Sequence, residues 1–248
     1  MKKIIKKIIN LIPNTTKKWF YSLGFKLIYP HQIKSKKIYN FSDEDLKFTH
    51  LLECVNYVKV SVPNGVPPVF FEFGCHSGRT FSSIVNAFQF LKIPNCEFYA
   101  FDSFQGLPST NQKDDGIFKT GTFHTTKSDF IKIIKKNTGY KLNKMNIIEG
   151  FYNESLSKDL QRTIPKVGFI HIDVDLFSST IEVLEFVKPL IVKGTVIAFD
   201  DWYCFPPESG KGESAALSKF IEKNPSFKVQ SWKAYSTFGK SFIVTGSP

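Results

Sequence analysis

Four aspartates set the terms for any chemistry this chain can perform. Asp173 and Asp175 close the run Phe169-Ile170-His171-Ile172-Asp173-Val174-Asp175, and Asp200 and Asp201 close Ala198-Phe199-Asp200-Asp201-Trp202. Asp173 and Asp200 are 27 residues apart, the span of one strand–helix–strand crossover. Neighbouring parallel strands would therefore carry these acids to one edge of a sheet. Gathered carboxylates repel and need a counter-charge. Neither segment holds an arginine, so the expected counter-charge is a divalent cation with hard oxygen ligands, Mg²⁺ first, with Mn²⁺ or Ca²⁺ as alternatives. The plainer reading makes each acid a separate cap or turn residue. His171 shares a strand face with Asp173; it could assist chemistry, orient a carboxylate or be an ordinary core histidine.

A second constellation lies upstream. The run Glu72-Phe73-Gly74-Cys75-His76-Ser77-Gly78 is an E-x-G-x-x-x-G turn between a strand and a helix. Gly74 permits a tight turn, and Gly78 would let the helix start close to a ligand. The spacing is not the G-x-G-x-x-G of pyrophosphate binding, which disfavours a nicotinamide oxidoreductase. Asp102 stands 28 residues beyond Gly74, where a strand-end carboxylate can accept the ribose hydroxyls of a nucleoside. The competing reading is a helix cap or turn residue.

Such residues need a scaffold to position them. Residues 69–73, 97–101, 146–148, 167–172 and 195–199 read as strands, with helical patterns at 79–91, 129–136, 178–190 and 213–222. Alternating β and α predicts an α/β fold, a mostly parallel sheet with helices on both faces. Residues 227–232 and 241–245 follow one another with no helix between them and predict a C-terminal antiparallel hairpin, seven strands in all. A lead-in helix is expected over 43–60, capped by Ser42, with Leu46, Leu51, Leu52 and Val55 as its apolar side. The polar loop from 103 to 126 carries Gly106, Gly116 and Gly121 and reads as a substrate cover.

Charge narrows the partners. The net charge is +11, but residues 1–40 hold ten lysines and no Asp, Glu or Arg, leaving the other 208 residues at +1. A nucleic-acid footprint would lie on the domain itself, so no nucleic-acid partner is expected. In the extension, Ile4, Ile5, Ile8 and Ile12 share a helical face opposite lysines, up to Pro13. That face could rest on the domain, on a second copy in a homodimer, or, through residues 1–20, on an anionic membrane surface. Its apolar runs are too short for a span and lack the pattern of a secretory signal. Cys54, Cys75, Cys96 and Cys204 are scattered without a C-x-x-C pair, which fits a reducing, cytoplasmic setting. The 26 phenylalanines sit mostly inside apolar runs and read as core filler.

Taken together, these runs resemble the macrocin O-methyltransferase-like family over roughly residues 46–245. The likeness rests on Phe71 to Gly78, on Asp102-Ser103-Phe104-Gln105-Gly106-Leu107-Pro108, on His171 to Thr180 and on Phe199-Asp200-Asp201-Trp202-Tyr203. The resemblance implies a Rossmann-like class I methyltransferase fold for residues 41–248, with residues 1–40 as a basic amphipathic extension. It implies a methyl transfer from S-adenosylmethionine to a sugar or glycoconjugate hydroxyl with Mg²⁺, the acceptor being a small molecule or glycan. It implies Asp173, Asp200 and Asp201 as metal ligands, Asp175 as general base with Asp173 and His171 beside it, and Glu72, Gly74 and Asp102 as cofactor residues. His76, Ser77 and Gly78 complete that cofactor turn, and Ser103 lies beside the ribose or adenine. His76 stands where relatives often carry Trp.

Two rival readings stay open on the sequence. One is a catechol-type phenolic O-methyltransferase, which shares the donor and metal logic. The other is a noncatalytic nucleoside-binding module that docks through the lysine-rich start.

Overall fold

The computed structural model describes residues 42–109, 118–139 and 145–246. The expectations for residues 1–40, and for the middle of the 103–126 loop, lie outside the described residues. The chain enters through helix α1 (Asp43–Ser61), whose first turn is fixed by a capping box between Ser42 and Asp45. Five strands then run parallel: β1 (Val69–Phe73), β2 (Glu97–Asp102), β3 (Met145–Glu149), β4 (Val167–Ile172) and β5 (Ile191–Phe199). β6 (Lys228–Tyr235) and β7 (Gly239–Gly246) form the closing antiparallel hairpin, with β7 paired to β5. The order is β3-β2-β1-β4-β5-β7-β6, the seven-stranded, hairpin-closed sheet expected. Its order reverses between β1 and β4, which marks the crevice where ligands bind in such sheets.

Period-two alternation on these strands divides the core in two. Phe70, Phe98, Phe169 and Val196 face α1, α2 (Arg79–Phe90) and α3 (Lys127–Thr138). Phe71, Phe101, Ile170, Ile197 and Phe199 face α6 (Phe177–Val187) and α7 (Gly212–Lys223), with the short helices α4 (Tyr152–Ser155) and α5 (Lys158–Thr163) along that layer. The twelve largest fully buried side chains are all phenylalanine, so the residue that dominates the composition is core filler, each ring stabilising by roughly 1.5–3 kcal/mol. All four cysteines are free, and among the described residues no helix is long and apolar enough to cross a membrane.

Several local expectations need correction. α6 stops at Val187 rather than running on to 190, because Pro189 turns the chain into a short 3₁₀ segment. β5 begins at Ile191, earlier than the apolar run suggested, and pairs out of register with β4 between Val167 and Phe169. α4 and α5 carry too few residues for a periodic signal. Most consequentially, Leu46 is 49% exposed, and the inward stripe of α1 runs from half-buried Lys47 through buried His50, Leu51, Cys54, Val55, Val58 and Ser61. That i, i+3, i+4 spacing is an ordinary helical face, but its first member is a lysine.

Candidate functional site

The site grows from the carboxyl ends of β1, β2, β4 and β5. On the β1–β2 side, Asp102 accepts backbone hydrogen bonds from Cys75 and His76 at Oδ2 (2.7 and 2.9 Å) and from Phe104 at Oδ1 (2.7 Å). One carboxylate thus ties the glycine turn to the first residues of the following loop. Gly74 sits at φ +80°, and a Cβ there would stand 1.7 Å from the carbonyl oxygen of Asp173. The missing side chain lets β1 and β4 close together at the switch point. Gly78 likewise leaves room for Phe130 and Ile134 of α3, so its lack of a side chain serves helix packing. His76 is exposed at φ +41° and meets Phe123 edge-on at 6.0 Å.

A cavity of about 460 Å³ runs from this turn to the end of β4, touching Gly74, His76, Asp102, Ser103, Asp173 and Asp175. Glu72, Ser77 and Gly78 are not on its wall. Ser103 holds its own loop, donating to Gly106 O at 2.9 Å and accepting from Gln105 N at 3.0 Å. Leu107, Pro108 and Phe123 of the 103–126 loop roof the cavity. The loop's two described arms are joined by Leu107 N to Thr122 O (3.0 Å) and Gly121 N to Leu107 O (2.9 Å).

On the β4–β5 side the acids do come together. Glu72 and His171 are register neighbours on β1 and β4, and His171 neighbours Ala198 on β5. This row lies on the α1 face, with Asp200 just beyond it. His171 is fully buried, its Nδ1 3.6 Å from Glu72 Oε1 and its Nε2 3.7 Å from Asp200 Oδ1. Ligand atoms of His171, Asp173 and Asp200 lie within 4.8 Å of one another. Asp201 turns the other way: its carboxyl bonds to Asp175 and accepts from Cys204 Sγ at 3.1 Å, while its backbone N–H reaches Glu213 Oε2 at 2.9 Å. Asp175 is itself 8% exposed and held at φ +61°.

Electrostatics follows from that crowding. Among the described residues, six carboxyl groups (Glu72, Asp173, Asp175, Asp200, Asp201 and Glu213) meet two cationic side chains, Lys47 and His171. Burial and the neighbouring Asp200 charge push Asp173 up to about 8, while burial and the charges of Asp201 and Asp173 push Asp175 up to about 10. Burial also raises Glu72, Asp201 and Glu213. Burial alone would lower His171, yet Asp200 and Glu72 outweigh it and hold the imidazole up to about 9. Asp200 goes the other way: burial opposes its ionisation, but Lys47 and His171 hold its carboxyl below the usual range. Glu72 Oε2, both His171 nitrogens, Asp200 Oδ1 and Glu213 Oε1 are buried without a hydrogen-bond partner among the described residues, an unusual concentration of unmet polar groups.

Residues 45–220 match the family model described as macrocin-O-methyltransferase (TylF). The chain belongs to that family.

Solved structures agree on the fold. The O-methyltransferase NovP is 17% identical, with a TM-score of 0.64 over 81% of this chain and 80% of its own. The calicheamicin methyltransferase CalS11 is 20% identical, with a TM-score of 0.63 over 94% of both chains. A putative O-methyltransferase from Klebsiella pneumoniae gives 13%, 0.53, and 97% of this chain against 95% of its own. Among curated proteins, no sequence matches significantly. The chain is thus an S-adenosylmethionine-dependent O-methyltransferase with the Rossmann-like fold of its class.

Sequence reasoning missed two parts of this methyltransferase's site. The cavity wall formed by Gly150 to Asn153, together with Ser178 and Glu182 of α6, carries no spacing that singles it out. Lys47 had a signal that went unused, since it heads the inward stripe of α1. Its Nζ lies 2.6 Å from Asp200 Oδ2 and 3.4 Å from Asp173 Oδ2. Neither acidic segment holds an arginine, but a lysine from a distant helix brings positive charge to the Asp173–Asp200 pair.

Proposed function

We propose that this methyltransferase acts on a sugar hydroxyl, with S-adenosylmethionine in the cavity between Gly74 and Asp175 and a divalent cation, Mg²⁺ first, at the acid cluster. One observation carries the reading. Asp173 and Asp175 on the cavity wall belong to a cluster in which, among the described residues, six carboxyl groups outnumber two cationic side chains and leave buried oxygens unpaired. Hard oxygen donors in excess suit Mg²⁺ or Mn²⁺. Asp173 and Asp200 would hold the cation, with Asp201 or His171 completing the protein's share. A cavity of about 460 Å³ is of the size that takes a nucleoside-bearing ligand.

When bound, S-adenosylmethionine supplies an electrophilic methyl group and the cation supplies positive charge that favours the alkoxide form of an acceptor hydroxyl. The chain's own part is positional. Asp102 keeps the turn from Gly74 to Gly78 in shape, and Phe123, Leu107 and Pro108 line the cavity from the following loop. Methyl transfer forms an oxygen–carbon bond, breaks the sulfur–carbon bond and frees the hydroxyl proton. Asp175, which lines the cavity with Asp173, would take that proton. Its raised proton affinity means that it serves as a base only once added positive charge draws its own proton off. CalS11, described as a TDP-rhamnose 3'-O-methyltransferase, supports a sugar acceptor over a catechol.

The test is turnover with isotopically labelled S-adenosylmethionine against sugar nucleotides, glycans and catechols, read by mass spectrometry with and without chelator. Methylated sugar that vanishes in EDTA and returns with Mg²⁺ is expected. Undiminished turnover in excess EDTA sinks the metal reading, and methylation of catechols alone sinks the sugar reading.

A further inference from the structure

We infer that Lys47 is a built-in competitor for the divalent cation: its ammonium group holds the Asp173–Asp200 pair in the metal-free protein and swings out when the cation binds. The inference rests on the metal reading above.

Lys47 reaches the cluster from α1, far from it in sequence, and touches the two carboxylates that sit at the centre of the His171, Asp173 and Asp200 group. A divalent cation contacts carboxylate oxygens at about 2.0–2.6 Å. An ammonium at 2.6 Å from Asp200 and 3.4 Å from Asp173 would stand within a few ångströms of that cation, where screening is weak and like charges repel strongly. The two cannot share the pair. One of them has to leave, and only the lysine has somewhere to go.

Lysine suits that part. Its charge is compact, strongly hydrated and carried on a flexible four-carbon stem, so it can vacate the site by changing rotamer without moving α1. Its side chain is 15% exposed, and Glu44 and Leu46 beside it on α1 are exposed, so a route to water exists. Lysine also limits the cost of the empty state. Without it, Asp173 and Asp200 would face each other with only His171 between them, and buried like charges lacking a counter-ion are strongly destabilising.

The test is a titration of the full chain with Mn²⁺, a paramagnetic stand-in for Mg²⁺, with no S-adenosylmethionine or acceptor, reading free Mn²⁺ by electron paramagnetic resonance. Lys47→Met is expected to tighten Mn²⁺ binding by roughly tenfold, the order of coupling between linked binding events. Lys47→Gln should move the same way and serves should Lys47→Met fail to fold. Lys59→Met removes the same charge from the exposed end of the same helix and should leave the affinity unchanged. A gain in affinity is an effect that a damaged fold does not produce. Binding that is unchanged or weaker in both Lys47 variants overturns the inference while leaving the metal site standing. No Mn²⁺ binding in wild type or variants overturns both.

Discussion

The two halves of the strand-end edge hold their acids in opposite ways. At β1–β2, Asp102 is surrounded by donors: three backbone amides converge on it and every one is local to the turn it organises. At β4–β5, Asp173, Asp175, Asp200 and Asp201 are surrounded mostly by one another, with Lys47 and His171 as the cations within reach among the described residues. A carboxylate satisfied by amides gives a turn its shape. A set of carboxylates with unmet oxygens stores a demand for positive charge. The same edge is divided between a part that shapes a turn and a part left short of positive charge, and Gly74 is where the two touch.

Substitutions can break that division. The largest effect is expected at Asp200→Asn: turnover should fall by on the order of a hundredfold or more, while calorimetric affinity for S-adenosylmethionine stays within a few fold. Comparable losses of both would mean that the two halves are not separable. Next is Gly74→Ala, which forces a Cβ against the Asp173 carbonyl at a positive φ. It should cost about 3 kcal/mol or more in urea denaturation, and an undiminished midpoint would contradict the close approach of β1 and β4. Asp102→Ala leaves three amides unpaired and should cost about 1–3 kcal/mol, weakening S-adenosylmethionine binding more than it slows a saturated reaction. A variant that binds normally but turns over poorly would place Asp102 in the reacting half.

The smallest effect is one of pH. Asp173, Asp175 and His171 hold protons in the folded state up to about 8, 10 and 9, each above its unfolded value. The folded chain therefore binds more protons than the unfolded one above roughly pH 4, and stability contributed by these groups is lost as pH rises toward about 10. Thermal melts of the metal-free protein should fall between about pH 5 and about pH 9, and Mg²⁺ should flatten the slope. A melting temperature that climbs with pH in the absence of metal would show that the cluster is not short of positive charge.

The alternating apolar runs carried the strand order, the longer helices, the closing hairpin and the strand-end positions of Asp102, Asp173 and Asp200, because period and turn chemistry are local properties that one stretch of chain expresses alone. They also carried the glycine turn with Asp102, whose spacing is a property of one β–α–β unit. Tertiary structure alone decided which acids pair with which. It set Asp201 against Asp175 rather than Asp200, brought Glu72 beside His171, and packed Leu107 and Phe123 over a cavity backed by Gly150. It also delivered Lys47 to Asp200 across 153 residues. Charge balance in a buried cluster is summed over space, and a helix that lies 126 residues before Asp173 in sequence can supply a charge that no local window reveals.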